Sequence, residues 1–301
     1  MMRHLALAAL LALALLPARP VADRQTATTP CCRVYASVLD DHDAPIADLA
    51  AADVAVKEDG KPREIVSVES PTGPLQIVIL VDDSGTGIFR FGLNGLMQLL
   101  QGKAEISLRV VTGQVQTIVE TTADPRAWVD GLARVGVRPA TPDGGQLLEG
   151  ISEAAKDLQR REARRPVIIA LTVGGQEQST LLARPVLDTL HGSRAVLHVL
   201  FADSPAVRPV AAAGRASDLL EENFNLSRVL GDGPKQSGGR RRDVLATGAI
   251  MQGVQQIARE LLAQYAITYA RPAGGNAPQK LEVSVKRRGA KVTAPTRAPA
   301  R

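Results

Sequence analysis

The stretch LQIVILVDDSGTG, Leu75 to Gly87, gives the clearest indication of the fold of this chain. It begins as a continuous apolar run and ends in acidic, hydroxyl and glycine residues at Asp82 to Thr86. Such a run is typical of a strand buried on both faces of a parallel sheet, which delivers a polar loop to the sheet edge. Open α/β sheets bind ligands at such edges, so this loop is a candidate site.

The loop has the spacing Asp-x-Ser-x-Thr, formed by Asp82, Ser84 and Thr86. One carboxylate and two hydroxyls on one side of a loop suit magnesium or calcium, which prefer oxygen ligands. The same residue types also cap backbone N–H groups where a strand turns into a helix. The loop alone leaves both interpretations open.

Composition bounds the class of protein. The chain has 301 residues and is 45% hydrophobic, which is ample for a packed core, and its formal net charge is +5. Arginines cluster at 160–165 and 240–242, but no aromatic residues alternate with them for base stacking. We therefore expect no nucleic-acid partner and interpret the clusters as solvated surface, with binding of an anionic polymer as an alternative.

The first residues predict export. A short basic start containing Arg3 precedes the apolar run Leu5 to Leu16, and small residues follow up to Ala22, the pattern of a secretory signal peptide. The apolar run is too short to span a bilayer, and no later stretch is long and apolar enough to do so. We expect a periplasmic or extracellular protein with no transmembrane segment after signal cleavage.

From Leu75 onward, apolar strand patterns alternate with amphipathic helical patterns. Strands are predicted at 75–81, 105–111, 114–120, 166–172 and 195–201, and helices at 89–101, 125–134, 146–161, 180–191 and 244–263. This alternation predicts an α/β fold, a doubly wound and mostly parallel sheet with helices on both faces. Residues 205–239 are rich in glycine, proline and charge, which predicts an exposed loop.

The segments on either side of this domain read as antiparallel strands. The first flank has strands at 33–39, 54–57 and 64–68, the last two joined as a hairpin through Asp59-Gly60, and the second has strands at 264–269, 280–286 and 291–293. Each flank is too short to form a core alone, so we expect the two to pair in one antiparallel β module. The predicted division is 1–22 signal peptide, 23–32 spacer, 33–70 first part of the β module, 71–263 α/β domain, 264–294 second part of the β module and 295–301 disordered tail.

Three motifs in this order resemble a known family. They are the segment Val54 to Lys61 with its Glu-Asp-Gly-Lys ending, the strand and loop Val78 to Gly87, and the closing strand Gln264 to Tyr269. Together they resemble bacterial exported VWFA-related proteins, which contain a von Willebrand factor type A (vWA) domain. The resemblance covers most of the chain after the predicted signal peptide.

The resemblance implies a metal-ion-dependent adhesion site, in which a partner carboxylate completes the coordination of the ion. The family uses Asp-x-Ser-x-Ser on a first loop, a Thr on a second and an Asp on a third. Asp82, Ser84 and Thr86 match the first loop, whereas Gly145 stands in place of the Thr and Val173 in place of the Asp. The site is therefore predicted to be degenerate.

A site reduced to one carboxylate and two hydroxyls is expected to bind magnesium weakly or not at all. Four nearby residues are candidates to replace the missing oxygen ligands: Thr141, Asp143, Thr172 and Glu177.

The resemblance implies a non-enzymatic interaction or adhesion module that binds an unidentified protein partner through the loop edge of its sheet. Besides the first-loop residues, the predicted partner-binding residues are Asp83, Thr141, Asp143, Gly145, Gln176 and Glu177.

A serine hydrolase using Ser84 is the alternative from another class. The Gly-x-Ser-x-Gly motif of a nucleophile elbow is absent, because Asp82 and Thr86 occupy the glycine positions. His191 and His198 are not placed by the sequence as a base for Ser84. We therefore do not expect an enzyme.

Overall fold

The structure, a computed structural model, describes residues 28–136, 145–202, 216–272 and 277–299, without the side chains of 28–31 and 216–222. The strands are β1 (Thr28–Leu39), β2 (Val54–Glu58), β3 (Lys61–Arg63), β4 (Ile65–Glu69), β5 (Leu75–Asp82), β6 (Ala104–Val111), β7 (Val115–Thr122), β8 (Pro166–Thr172), β9 (Val196–Ala202), β10 (Arg241–Val244), β11 (Gln264–Pro272), β12 (Leu281–Val285) and β13 (Lys291–Thr293). The α-helices are α1 (Arg90–Leu100), α2 (Pro125–Arg134), α3 (Leu147–Arg160), α4 (Ala183–Ser193), α5 (Ala216–Ser237) and α6 (Gly248–Leu262).

A six-stranded sheet forms the centre of the α/β domain. Its strand order is β10-β9-β8-β5-β6-β7, and every neighbouring pair is parallel except β6 and β7. Numbered from β5 within the sheet, this is the order 3-2-1-4-5-6 of a doubly wound fold. The order reverses between β5 and β8, so the crevice for a ligand is expected at the carboxyl ends of these two strands.

Alternate residues of the central strands face two separate cores, which explains their continuous apolar runs. Ile77, Ile79 and Val81 of β5 pack in one core with α1, α2 and α6. Val78 and Leu80 of the same strand pack in the other core with α3, α4 and α5. The predicted fold class, a mostly parallel doubly wound sheet with helices on both faces, is confirmed.

The flanks form the predicted antiparallel β module. Two sheets build it, one of order β13-β1-β11-β4 and one of order β12-β2-β3. The N-terminal strand β1 pairs with β11 along most of its length, and β2 pairs with β12. A third core lies between these sheets, and it includes Val34, Val56, Ile267 and Tyr269. The two flanks therefore complete each other, as the pairing hypothesis required.

Direct contacts join the β module to the α/β domain. The Ser37 hydroxyl donates to the Glu260 carbonyl at 2.8 Å, and Val38 N donates to the Ala263 carbonyl at 3.2 Å. On the other side of β1, the Tyr35 hydroxyl donates to the Arg164 carbonyl at 3.0 Å. Strand β1 thus contacts both α6 and the segment that precedes β8.

The structure corrects the predicted hairpin. After the Asp59-Gly60 turn, the strand that returns to β2 is the three-residue β3, not the predicted strand at 64–68. The later strand, β4, leaves this sheet and pairs with β11 of the other sheet. Between β3 and β4 the chain therefore passes from one sheet of the module to the other, and residues of both sheets share one core.

Two segments predicted to lack structure are ordered where they are described. Residues 216–237 of the predicted loop 205–239 form α5, whose Leu226, Val229 and Leu230 are buried, and 203–215 lie outside the described residues. Within the predicted tail 295–301, residues up to 299 are described and packed: Thr296 N donates to Lys235 O, and Ala298 is 2% exposed.

Element boundaries also differ in two places. Strand β1 starts at Thr28, inside the predicted spacer 23–32. The predicted helix 244–263 starts later, because Val244 ends the edge strand β10 and α6 begins at Gly248.

Among the described residues, no helix combines the length and the apolar character needed to span a bilayer.

Candidate functional site at the carboxyl edge of the sheet

Asp82 is the last residue of β5 and lies at the point where the strand order reverses. Its carboxylate is 5% exposed, and the Thr172 hydroxyl at the end of β8 donates to Asp82 Oδ2 at 2.6 Å. The Thr172 oxygen in turn accepts from Gly174 N at 3.0 Å. The ends of the two central strands are thus joined through a buried carboxylate and a hydroxyl.

Asp83 organises the first loop. Its carboxylate accepts hydrogen bonds from Gly85 N at 3.0 Å and from Gly87 N at 2.7 Å, and it is 1% exposed. These bonds hold a tight turn in which Ser84 has a left-handed φ of 51°. The residue that caps backbone N–H groups in this loop is therefore Asp83, which lies between the predicted metal ligands Asp82 and Ser84.

Gly145 brings a second turn against the first loop. A Cβ atom at this position would lie 2.8 Å from Asp82 Oδ1, so a side chain here would displace the carboxylate. Gly145 N donates to Gln176 O at 3.0 Å, and Gln178 N donates to Gly145 O at 2.8 Å, which ties the second turn to the third. The residue that replaces the family's threonine thus allows a close backbone approach.

Glu177 caps helix α3 from the third turn. It is 2% exposed and accepts from Leu147 N at 3.2 Å, Leu148 N at 3.4 Å and Ser179 N at 3.2 Å. A carboxylate at a helix N-terminus satisfies backbone N–H groups that have no partner within the helix. Sequence reasoning named Glu177 as a candidate ligand but missed this cap, because the helix starts 30 residues earlier in the chain.

Burial dominates the electrostatics of this edge. It raises the pKa of Asp82 to about 6, and the neighbouring Asp83 carboxylate raises it further, against the Thr172 hydrogen bond. Burial also raises the pKa of Glu177 to about 8, with further contributions from the Asp82 and Glu149 charges. The charges that raise these two pKa values are those of carboxylates, so both groups favour the protonated form more than usual.

The described carboxylates at this edge are engaged in hydrogen bonds within the protein. Magnesium and calcium need several free oxygen atoms that converge on one point. Within the described residues, no group of three His, Cys, Asp or Glu side chains is arranged to hold a metal ion. Asp82 Oδ2 is occupied by the Thr172 hydroxyl, and both Glu177 oxygens accept backbone N–H groups. Val173 is 2% exposed and adds an apolar side chain to the third turn.

The predicted site residues divide into a buried floor and a surface. Asp82, Asp83, Gly145 and Glu177 are buried and form the floor. Ser84 and Gln176 are partly exposed, and Thr86 is exposed. Thr141 and Asp143 lie outside the described residues. The structure therefore brings three turns together at one edge and presents the hydroxyl and amide side chains to solvent.

His198 and His191, the two histidines considered for the hydrolase alternative, do not support it. His198 lies on β9, is 1% exposed and is near Glu260 of α6, and its burial and the charges of Arg242 and Arg240 lower its pKa to about 3. His191 lies on α4 and lines a cavity beside the N-terminal end of β8. Neither is placed to act as a base for Ser84.

The arginine clusters have two different environments. Arg240 Nε lies 3.4 Å and Arg242 Nη2 lies 2.5 Å from the buried Glu260 carboxylate, and Arg241 pairs with Asp243. The 240–242 cluster is therefore largely neutralised within the protein. In the other cluster, Arg160 pairs with Asp157, whereas Arg164 and Arg165 face the cavity described below.

A search of solved structures finds similar proteins at low sequence identity, among them a von Willebrand factor type A protein. BatB from Bacteroides thetaiotaomicron is 13% identical, with 62% of this chain and 98% of that chain covered and a TM-score of 0.42. An aerotolerance-related membrane protein from Bacteroides fragilis is 15% identical, with 61% and 98% covered and a TM-score of 0.44. A von Willebrand factor type A protein from Catenulispora acidiphila is 9% identical, with 92% and 75% covered and a TM-score of 0.48.

A scan against models of protein families and a search of curated proteins give no match. Because the structural neighbours are so distant, the strand order and the two helical layers described above carry the fold assignment. The chain has a vWA-like α/β fold with an added antiparallel β module.

Proposed function

We propose that this protein is a non-enzymatic interaction or adhesion module and that its partner protein docks on the carboxyl edge of the six-stranded sheet. The main support is the meeting of three turns at the point of strand-order reversal, above a floor whose hydrogen bonds are made within the protein. A satisfied floor holds Ser84, Thr86 and Gln176 in fixed positions, which lowers the entropy cost of binding.

We propose that this binding depends weakly or not at all on a metal ion. Gly145 and Val173 supply no oxygen ligand, and the Asp82 carboxylate is held by Thr172. The raised pKa values of Asp82 and Glu177 provide a way to reduce the buried charge by protonation, without a cation.

The test is affinity capture from an envelope extract of the source organism, with mass spectrometry of the bound proteins. The Thr86→Arg/Gln176→Arg double variant places two bulky cations on the proposed contact surface. The matched control is Gln159→Arg, an exposed position near the C-terminal end of α3. We expect a partner that the wild-type protein and the control retain equally and the double variant loses.

Each capture is repeated with magnesium and with a chelator, and we expect equal recovery in both. A partner lost only with chelator would overturn metal independence. A partner retained by the double variant would overturn the proposed surface.

We also propose that the protein is exported, on the basis of the Arg3 to Ala22 pattern. Cell fractionation and intact mass measurement test this proposal. The expected product is an envelope or secreted protein shortened by about the length of a signal peptide. A full-length product in the cytoplasm would contradict it.

A further inference from the structure

A cavity lies at the end of the six-stranded sheet opposite the carboxyl edge. It has a volume of about 500 Å³ and lies where the α/β domain meets the β module. Arg165-Pro166 and Ala195-Val196, at the N-terminal ends of β8 and β9, line one side. Tyr35 of β1 and the C-terminal segment Pro295–Pro299 contribute to the other side. Its size is in the range of small-molecule sites.

The lining is strongly cationic. It contains five arginines and a single acidic residue, Glu69, while the whole chain has a net charge of only +5. The arginines are Arg33, Arg164, Arg165, Arg194 and Arg297. Arg297 pairs with Asp188 at 3.1 Å, but the other four form no ion pair with a carboxylate of the described chain.

Arg165 is the most constrained of these cations. Its guanidinium donates to Gly73 O at 2.8 Å and to Gln264 Oε1 at 3.1 Å, while its buried Nε has no hydrogen-bond partner among the described residues. Its Cζ lies 5.9 Å from the centre of the Tyr35 ring. The bonds hold the guanidinium in place, and its positive charge has no described carboxylate to balance it.

Burial and the positive charges around the same cavity lower the pKa of His191. Burial has the largest effect, and the Arg297 and Arg194 charges lower this pKa further, although Asp188 acts in the opposite direction. The ring therefore stays neutral at physiological pH and contributes a hydrogen-bonding group without adding positive charge.

We propose that this cavity binds a small organic anion, with its carboxylate or phosphate group against the arginines. The lining also includes the apolar or partly apolar side chains of Tyr35, Pro71 and Pro295, which are partly exposed and suit an apolar ligand body. Arginine is well suited to bidentate recognition of carboxylate and phosphate groups. Because these arginines surround one cavity of small-molecule size, they favour a small ligand over an extended polymer.

Calorimetric titration of the full chain with 1-naphthyl phosphate tests the proposal, because this probe combines an anionic group with an apolar body. We expect saturable binding with one probe per chain. Neutral 1-naphthol has only the apolar body, and inorganic phosphate has only the anionic group. We expect each of them to bind at least about tenfold more weakly.

The variant Arg164→Gln/Arg194→Gln removes two exposed cations of the lining and leaves Arg165 with its structural hydrogen bonds. We expect it to weaken probe binding about tenfold or more, since charge-assisted hydrogen bonds are strong. The matched control is Arg126→Gln, an exposed arginine on α2 that does not line the cavity, and it should bind like the wild-type protein. Unchanged unfolding midpoints show that both variants fold.

Two outcomes would overturn the proposal. One is the absence of saturable 1-naphthyl phosphate binding, or binding that the cavity variant and the Arg126→Gln control weaken equally. The other is a protein that does not bind 1-naphthyl phosphate but is retained on heparin, with the cavity variant and the control lowering this retention equally. That result would assign the anion affinity to diffuse surface charge.

Discussion

The two ends of the six-stranded sheet differ in how they accommodate buried charge. At the carboxyl edge, Asp82, Asp83 and Glu177 are buried, and each carboxylate accepts hydrogen bonds from nearby backbone or hydroxyl groups. At the opposite end, Arg164 and Arg165 line an open cavity without a described carboxylate partner. The described carboxylates of the first edge have hydrogen-bond partners within the chain, whereas the second end has charges that a ligand could neutralise.

This difference suggests different roles for the two ends. A floor whose carboxylates are hydrogen-bonded within the chain supports a contact surface. A cavity with unbalanced cations gains free energy when an anion enters. Four experiments on the free energy of unfolding test this comparison.

Val173→Asp restores the family's acidic residue and should cause the largest loss of stability. The position is 2% exposed, its side chain packs in the core with α1 and α6, and its N–H donates to Asp82 O. The new carboxylate would therefore be buried without a partner of opposite charge. We expect the free energy of unfolding to fall by about 3 kcal/mol or more at pH 8, by urea denaturation. The loss should be smaller at pH 5, where the carboxyl groups protonate.

The isosteric variant Val173→Thr is the control and should lose much less. Added magnesium should not restore the stability of Val173→Asp, because Gly145 still supplies no oxygen ligand. Recovery with magnesium would show that this edge can hold a cation.

Thr172→Val should have the next largest effect. It removes the hydroxyl that donates to Asp82 Oδ2 and accepts from Gly174 N, and leaves the buried carboxylate without that donor. We expect a loss of about 1–3 kcal/mol in the free energy of unfolding. Thr117→Val, an exposed position on β7, is the control and should change little. Equal effects of the two variants would show that the Asp82–Thr172 bond does not stabilise the edge.

The pH dependence of stability tests the raised pKa values. In the folded state Asp82 titrates near 6 and Glu177 near 8, against ordinary values of 3.8 and 4.5. The folded protein therefore binds more protons than the unfolded chain between these values. Their contribution to stability should fall as the pH rises from about 4 to about 8.

Glu177→Gln should flatten this dependence. Its stability relative to wild type should rise between pH 5 and pH 9 by up to a few kcal/mol, at about 1.4 kcal/mol per pKa unit. The lost cap to α3 lowers stability at every pH, so the slope and not the absolute value is the measurement. Parallel curves for the two proteins would contradict the raised pKa of Glu177.

Arg194→Gln should have the smallest effect on stability. This arginine is exposed and has no described carboxylate partner, so its loss should change the free energy of unfolding by no more than about 0.5 kcal/mol. Arg297→Gln loses the ion pair with Asp188 and is the comparison. A loss above about 1 kcal/mol for Arg194→Gln would show that it has a structural role.

Much of the fold was predictable because burial leaves a local pattern. The runs at β5, β8 and β9 are apolar at successive positions because both faces of these strands are covered. The alternating pattern of β12 likewise indicated a strand with one exposed face.

Helix α5 shows where local pattern misled the prediction. Gly233 and Pro234 indicated a loop, yet the helix continues to Ser237. A Cβ atom at Gly233 would lie 2.9 Å from the Leu197 side chain, so glycine allows the helix to approach β9 closely. Tertiary packing here outweighs the low helix propensity of glycine and proline.

The candidate site was predictable only in part. The first loop and its Asp82 follow directly from the apolar run, and the lack of oxygen ligands at Gly145 and Val173 could be read from the family pattern. The bond from Thr172 to Asp82 and the cap of Glu177 on α3 were not predicted.

Local patterns in the sequence predicted the types of element, the mostly parallel sheet and the polar loop at its edge, because buried and exposed positions alternate among neighbouring residues with the period of each element. Tertiary structure decided which charges are satisfied. The Asp82 carboxylate meets Thr172 from 90 residues away, and the Glu177 carboxylate meets Leu147 N from 30 residues away. The packing of strands and helices that are distant in the sequence brings such partners together, and a local sequence pattern does not predict this packing.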